Sequence, residues 1–335
     1  MKKNAFSLIE IILVVAIIVT LAIIGTPAVL EIIKKMRKES YENLESMMQI
    51  AAVEYYDANK ELLPWDEGEM VIITLGELID LGYLKKTSGE NDISNKCDNK
   101  NSGVIVIRLS SKKYKYTPFI NCDEHLSKIY TTDNLILDMP LGNTNFIEKV
   151  SNKYGINNGT TNGEDRFGNP YGATSFNGTS NYVEIPNYNT TSNVTITIWV
   201  NTPKTASQII IGDNNTAALG FHSNHIIGYG GTSHRTVGLY GNKFKVNEWN
   251  HLAVVVENET FKYYLNGEAL PTQANTNYWS WVKSDYAYLG RRTIKSSSSP
   301  YYFQGRLDDL KVYGRALSDE EIYNNYIIEK HFSTH

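Results

Sequence analysis

From Phe6 to Leu30 the chain carries one ionisable side chain, Glu10, in an otherwise apolar or small-residue run. Crossing the hydrocarbon core takes about 20 apolar residues, so this run predicts a membrane helix. Lys2 and Lys3 precede it, which predicts an inside N-terminus with the remaining chain outside. Over residues 28–62 helical spacing continues through Leu30, Ile33, Tyr41, Leu44, Met48, Ala51 and Tyr55, with Lys34, Lys35, Arg37 and Lys38 opposite. Residues 74–86 predict a second, short helix with Thr74 as its N-cap and Gly82 near its end. The period then falls to two. GVIVIRLSS is an apolar strand, and Lys113 and Lys115 alternate with Tyr114 and Tyr116 in its hairpin partner.

From about Asn134 the pattern changes to short apolar runs separated by Gly, Asn, Ser and Thr. In NVTITIWVN, Val194, Ile196, Ile198 and Val200 share one face; Thr195, Thr197 and Trp199 share the other. HLAVVVEN and FKYYLNGEAL follow, and Asn266-Gly267 is a strong hairpin signal because both residues accept positive φ. No long helical period occurs before residue 316. Many short strands over some 200 residues predict an all-β sandwich.

Composition narrows the function. Of 335 residues, 41% are hydrophobic and 20% charged, enough apolar content for folded cores. The net charge of −4 argues against nucleic-acid binding through a general basic surface. The two cysteines, Cys97 and Cys122, flank the hairpin. A disulfide between them would close a loop of about 25 residues and add up to ~3 kcal/mol. Two free thiols or a metal pair are the alternatives.

Glu10 needs a reason, because an ionisable group inside a membrane costs at least ~2.5 kcal/mol. It either lies at the headgroup boundary or awaits a positive charge from another subunit. The basic leader, Ala5-Phe6, Ser7-Leu8-Ile9-Glu10 and the long apolar helix together resemble a type IV prepilin. The resemblance covers residues 1 to about 60. It implies cleavage between Ala5 and Phe6 by a prepilin peptidase, N-methylation of Phe6, and Glu10 as the assembly glutamate that meets a neighbour's terminal amine. Pro27 falls where pilin helices commonly kink. The family usually has Gly before the cut, where this chain has Ala5.

GATSFNGTSNYVEIP (172–186), TITIWVN (195–201), WNHLAVVVE (249–257), YLG (288–290) and FQGRLDDLKVYGRALSDEEI (303–322) resemble the laminin G-like, concanavalin A-like jelly roll. That family implies binding of glycans or proteins, often with calcium. The carboxylate-rich strand of the glucanases that share the fold is absent, and no catalytic residue is expected. Asp308 and Asp309 are adjacent, so regular alternation puts them on opposite faces, Asp308 inward beside Leu310 and Val312. Asp308 is either a hydrogen-bonded structural residue or a calcium ligand with Asp165 and Asn169. For ligand contact the candidates are Tyr229, Trp279, Trp281 and Tyr301 in expected loops, with Arg291 and Arg292 nearby, because sugar faces stack on aromatic rings.

The expected organisation is a leader (1–5), a transmembrane and filament-core helix (6–30), a pilin-like α+β domain with a small antiparallel sheet (31–132), and a laminin G-like all-β jelly-roll sandwich (133–330). The expected function is a minor type IV pilin presenting a binding head. A head of this size on every subunit would crowd a packed shaft. The expected partners are other pilin subunits, the prepilin peptidase, the pilus assembly platform and a glycan or surface-protein ligand; no nucleic acid is expected. The expected location is the bacterial cytoplasmic membrane, single-pass, then a cell-surface pilus. A pseudopilin of a secretion or DNA-uptake machine is the alternative, and a membrane-anchored glycan-active enzyme the more distant one.

Overall fold

The computed structural model describes residues 8–85, 93–144, 146–186, 193–213, 216–222, 225–230, 233–239, 243–258, 260–271, 286–292 and 301–334, with only the backbone described for 8–28, 213, 216–218, 229–230, 233–239 and 286. The chain divides into two compact units, Met1–Ser127 and Lys128–Ser333.

The first unit is built on helix α1 (Leu8–Ala58). Tyr41, Leu44, Met48, Ala51, Ala52 and Tyr56 recur every three or four residues and form its buried face. They pack with residues of an antiparallel sheet of β1 (Met70–Thr74), β2 (Gly103–Ser110) and β3 (Lys113–Phe119), in the order β1-β2-β3. The helix stops where the Asn59 side chain donates to the Tyr55 carbonyl at 2.7 Å. Thr74 caps α2 (Leu75–Asp80) in a reciprocal capping box with Glu77. Cys97 and Cys122 form a disulfide that ties the segment before β2 to the short pair β4 (Asn121–Cys122) and β5 (His125–Leu126).

Upstream of this core the apolar side chains of α1 stand exposed among the described residues, and Arg37 pairs with Glu124 at 2.9 Å. Val29, Leu30, Ile32, Ile33 and Met36 are all exposed, the last by 61%. The expectation of a single-pass membrane protein is corrected here. Among the described residues no helix is long and apolar enough to cross a membrane. Glu31, Lys34, Lys35, Arg37, Lys38 and Glu39 interrupt the apolar stretch.

The second unit is a sandwich of two antiparallel sheets. One runs β15 (Ser233–Leu239), β14 (His225–Gly230), β13 (Thr216–His222), β12 (Gln208–Asp213), β19 (Tyr286–Leu289), β10 (Tyr182–Pro186), β7 (Ile156–Asn158). The other runs β18 (Glu268–Ala269), β17 (Thr260–Leu265), β16 (Asn250–Glu257), β11 (Val194–Asn201), β20 (Gln304–Tyr313), β9 (Ala173–Asn177), β8 (Thr161–Gly163), with β6 (Leu135–Met139) also paired to β20. The alternation in β11 works as the sequence predicts. Val194, Ile196, Ile198 and Val200 enter the core between the sheets, with Val183, Ile185, Leu219, Leu252, Val254 and Leu310. Thr195, Thr197 and Trp199 lie on the opposite face, in the register of Val255, Ala253 and His251 of β16. Helix α3 (Asp319–His331), capped by Ser318 and Glu321, buries Ile322, Asn325, Tyr326, Ile327, Ile328 and Glu329.

Candidate functional site

On β10, Val183 and Ile185 fill the core, so Tyr182 and Glu184 take the outer face of the seven-stranded sheet. On β19, Ala287 and Leu289 point inward and Tyr288 outward. The register pairs Glu184 with Tyr288, which brings the Tyr182 and Tyr288 rings to 6.0 Å between centroids. β19 then ends at Gly290, whose φ of +87° carries the chain off the sheet. A Cβ at Gly290 would lie 2.6 Å from two ring carbons of Phe176. Its N–H donates to the Ile210 carbonyl at 2.7 Å, and its carbonyl accepts from the Phe303 N–H at 2.8 Å.

This exit lays Arg291 over both tyrosines. Its guanidinium carbon is 3.5 Å from the Tyr182 centroid and 4.6 Å from that of Tyr288. Arg292 lies 4.7 Å from the centroid of Tyr301. The Tyr301 carbonyl accepts from the Ile209 N–H at 2.8 Å, and its ring packs on Ile209 and Ile227. Two sequence-predicted contact residues, Arg291 and Tyr301, are thus joined through Arg292. Among the described residues no carboxylate pairs with Arg291, and its Nε has no hydrogen-bond partner. Tyr229, expected in a loop, belongs to strand β14, because its segment pairs with β13 and β15. Trp279 and Trp281 lie outside the described residues, as do Ala5 and Phe6; Glu10 and Pro27 belong to α1, described there by backbone alone. Tyr182 and Tyr288 were missed by sequence reasoning. The signal for Tyr182 and Tyr288 was their alternation with buried neighbours.

The outer face of the eight-stranded sheet holds a second polar cluster, sealed by α3. Arg166 bonds Asp308 through Nη1, Asp309 through Nη2 at 2.6 Å, and the Glu329 carbonyl through Nε at 2.6 Å. The Glu329 carboxylate accepts from Tyr130 Oη at 2.7 Å and Trp199 Nε1 at 2.9 Å, and lies 3.1 Å from Lys311 Nζ. Burial and Asp309 push the Asp308 carboxyl well above its usual range. Despite burial, Lys311 and His251 hold Glu329 below its ordinary value. Burial drops His251 to about 4, so its ring is neutral at neutral pH.

This geometry corrects the inward placement of Asp308. The register pairs Trp199 with Asp308 and Thr197 with Lys311, so Ile198 faces two residues, Asp309 and Leu310. Asp309 takes φ 45° at this bulge, and both acids reach the helix-covered face. The calcium expectation for Asp165, Asn169 and Asp308 does not fit either. Asp308 is held by Arg166, and Asp165 accepts from the Phe167 and Asn169 N–H groups and from Asn169 Nδ2. Gly172 packs so closely that a Cβ there would overlap the Asp165 carboxylate. Among the described residues no group of three or more His, Cys, Asp or Glu could hold a metal ion. A cleft of roughly 290 Å³ opens beside the cluster, lined by Asn143, Asp165, Arg166, Phe167, Tyr171 and Asp309 among others.

Residues 177–323 match the family described as the concanavalin A-like lectin/glucanases superfamily. The second unit therefore contains a laminin G-like, concanavalin A-like jelly-roll domain, a lectin-like β-sandwich. No curated protein matches the chain. Among solved structures, domain 4 of an extracellular arabinanase from Geobacillus stearothermophilus, in complex with arabinotriose, is 18% identical over 58% of this chain and 98% of its own, with a TM-score of 0.42. The ligand binding domain of botulinum neurotoxin serotype D, in complex with N-acetylneuraminic acid, is 15% identical over 59% of this chain and 51% of its own, with a TM-score of 0.45. A Trypanosoma rangeli sialidase is 12% identical over 68% of this chain and 42% of its own, with a TM-score of 0.46. The chain spans about half the length of the first listed of these structures, such as the receptor binding domain of a botulinum neurotoxin C/D mosaic serotype, at 51%.

Proposed function

We propose that the chain is a type IV pilin-like filament subunit whose lectin-like unit binds glycan at the Tyr182–Tyr288–Arg291 face. The observation that carries the glycan reading is Arg291 lying over two tyrosines, with no acid partner among the described residues, on the outer face of a lectin-like sheet. Flat rings offer a stacking surface for the C–H face of a sugar, and the guanidinium edge supplies hydrogen-bond donors. These groups suit binding without turnover.

The filament reading rests on the sequence around Ala5-Phe6 and Glu10 and on the apolar, exposed part of α1. Val29, Leu30, Ile32, Ile33 and Met36 are exposed among the described residues, and neighbouring copies of the same helix would cover them. A second unit of some 200 residues suits a minor subunit among smaller ones. The partners in this reading are other pilin subunits, a prepilin peptidase and an assembly platform.

Two measurements test the proposal. On a glycan array the full chain should retain a defined subset of saccharides, and Tyr182→Ala should abolish that retention; a blank array removes the glycan reading. Mass spectrometry of purified filaments should find a peptide that begins at methylated Phe6, at low stoichiometry. Its absence from filaments removes the pilin reading.

A further inference from the structure

We infer that the saccharide taken at this face is acidic, and that the edge of the Arg291 guanidinium binds its carboxylate. The inference rests on the glycan reading above and deepens it.

Arg291 lies over both rings, at 3.5 and 4.6 Å from their centroids. Stacking restrains the plane of the fork and leaves its N–H edge to find partners elsewhere. The protein does not supply them: among the described residues Arg291 has neither a carboxylate nor a hydrogen-bond acceptor, and its Nε is buried without a partner. Arg166 of the second cluster shows the contrast, since it has an acceptor for each of Nε, Nη1 and Nη2. Buried donors are nearly always satisfied, so an unsatisfied and rigidly stacked fork is suited to an acceptor brought by a ligand. A planar carboxylate matches the fork in two parallel bonds, whereas a sugar hydroxyl satisfies one donor and no charge. Arg292, stacked on Tyr301, adds a second positive charge next in sequence. Glu184 also lies on this outer face, and among the described residues no ion pair joins it to Arg291.

The test uses the full chain and matched probes: tri-galacturonic acid and its methyl ester, and sialyllactose with lactose. We expect at least one acid to bind about 10- to 100-fold more tightly than its neutral counterpart. That preference should shrink with added salt, since exposed charges are screened. Arg291→Gln should abolish the preference, and Arg291→Lys should restore little of it, because an ammonium lacks the fork. A retained circular-dichroism spectrum and unfolding midpoint in Arg291→Gln separates loss of the site from loss of the fold. Equal binding of acid and neutral probes, unchanged in Arg291→Gln, overturns the inference and leaves the glycan reading standing. Failure of every saccharide, array included, overturns both.

Discussion

Asp308 and Asp309 follow one another along β20, yet both carboxylates reach the single guanidinium of Arg166. A regular strand would send them to opposite faces. The bulge at Asp309 places both on the face that α3 covers, and their charge is then met by a residue 142 positions earlier in the chain. Burial and its neighbour push the Asp308 carboxyl upward.

Asp308→Asn replaces a carboxyl whose charged form burial disfavours, and should cost no more than about 1.5 kcal/mol, the worth of an ordinary hydrogen bond. Arg166→Met leaves the acids without their cation and should cost about 3 kcal/mol or more. Urea unfolding of the three proteins gives the comparison. Equal costs for the two variants would mean that Asp308 is ionised beside Arg166.

The same cluster predicts a pH dependence. His251 has a folded value of about 4, below the ordinary 6.5, because burial disfavours the imidazolium. Its contribution is therefore complete above pH 6.5 and is lost as pH falls through 4. The free energy at stake is roughly 3 kcal/mol. His331, also lowered to about 4, acts in the same direction. Asp308 acts in the opposite one: its raised value gives stability that is lost as pH rises above the ordinary carboxylate range. The clean readout is thus the difference between wild type and His251→Gln in urea midpoint from pH 7 to 4. The wild type should lose more stability on acidification than the variant.

Much of the sandwich was legible in advance because half-buried strands declare themselves by alternation. Val194, Ile196, Ile198 and Val200 all sit in the core, and Asn266, at φ 51°, makes the expected turn with Gly267. The Asp309 bulge was not legible, since one inserted residue changes no composition and reverses the inferred facing of its neighbour. Arg166 was equally hidden, because its partners are set by topology and lie in β20 and α3. At the candidate site, Arg291 and Tyr301 were recognisable as loop residues of useful chemistry. Their relation to Tyr182 and Tyr288 required the register of β10 and β19.

Gly290 should be the most sensitive backbone position of that site. Its φ of +87° is strained for any side chain, and a methyl group would overlap the Phe176 ring at 2.6 Å. Phe176 is in turn packed edge-on against Phe303 in the core, so it has little room to yield. Gly290→Ala should destabilise the second unit by about 2 kcal/mol or more. It should also weaken saccharide binding where the fold survives, through displacement of Arg291. Thermal unfolding and the glycan array report the two effects separately, and an unperturbed midpoint would show that the exit from β19 tolerates a side chain.

The exposed segment of α1 makes the last prediction, about association. Ile32, Ile33 and Met36 are 58%, 40% and 61% exposed, beside the charged Lys34, Lys35 and Arg37. Removing apolar area from water is worth about 25 cal/mol per Å², and helices from other copies can supply the missing partner. In sedimentation velocity the full chain should form concentration-dependent oligomers. The double substitution Ile32→Glu with Met36→Glu should shift them toward monomer, because each buried contact would then carry an unpaired carboxylate. Saccharide binding should be unchanged in the same variant, since the Tyr182–Arg291 face belongs to the other unit. Oligomers that persist in the double variant would place the self-association elsewhere and remove the structural support for helix-driven assembly.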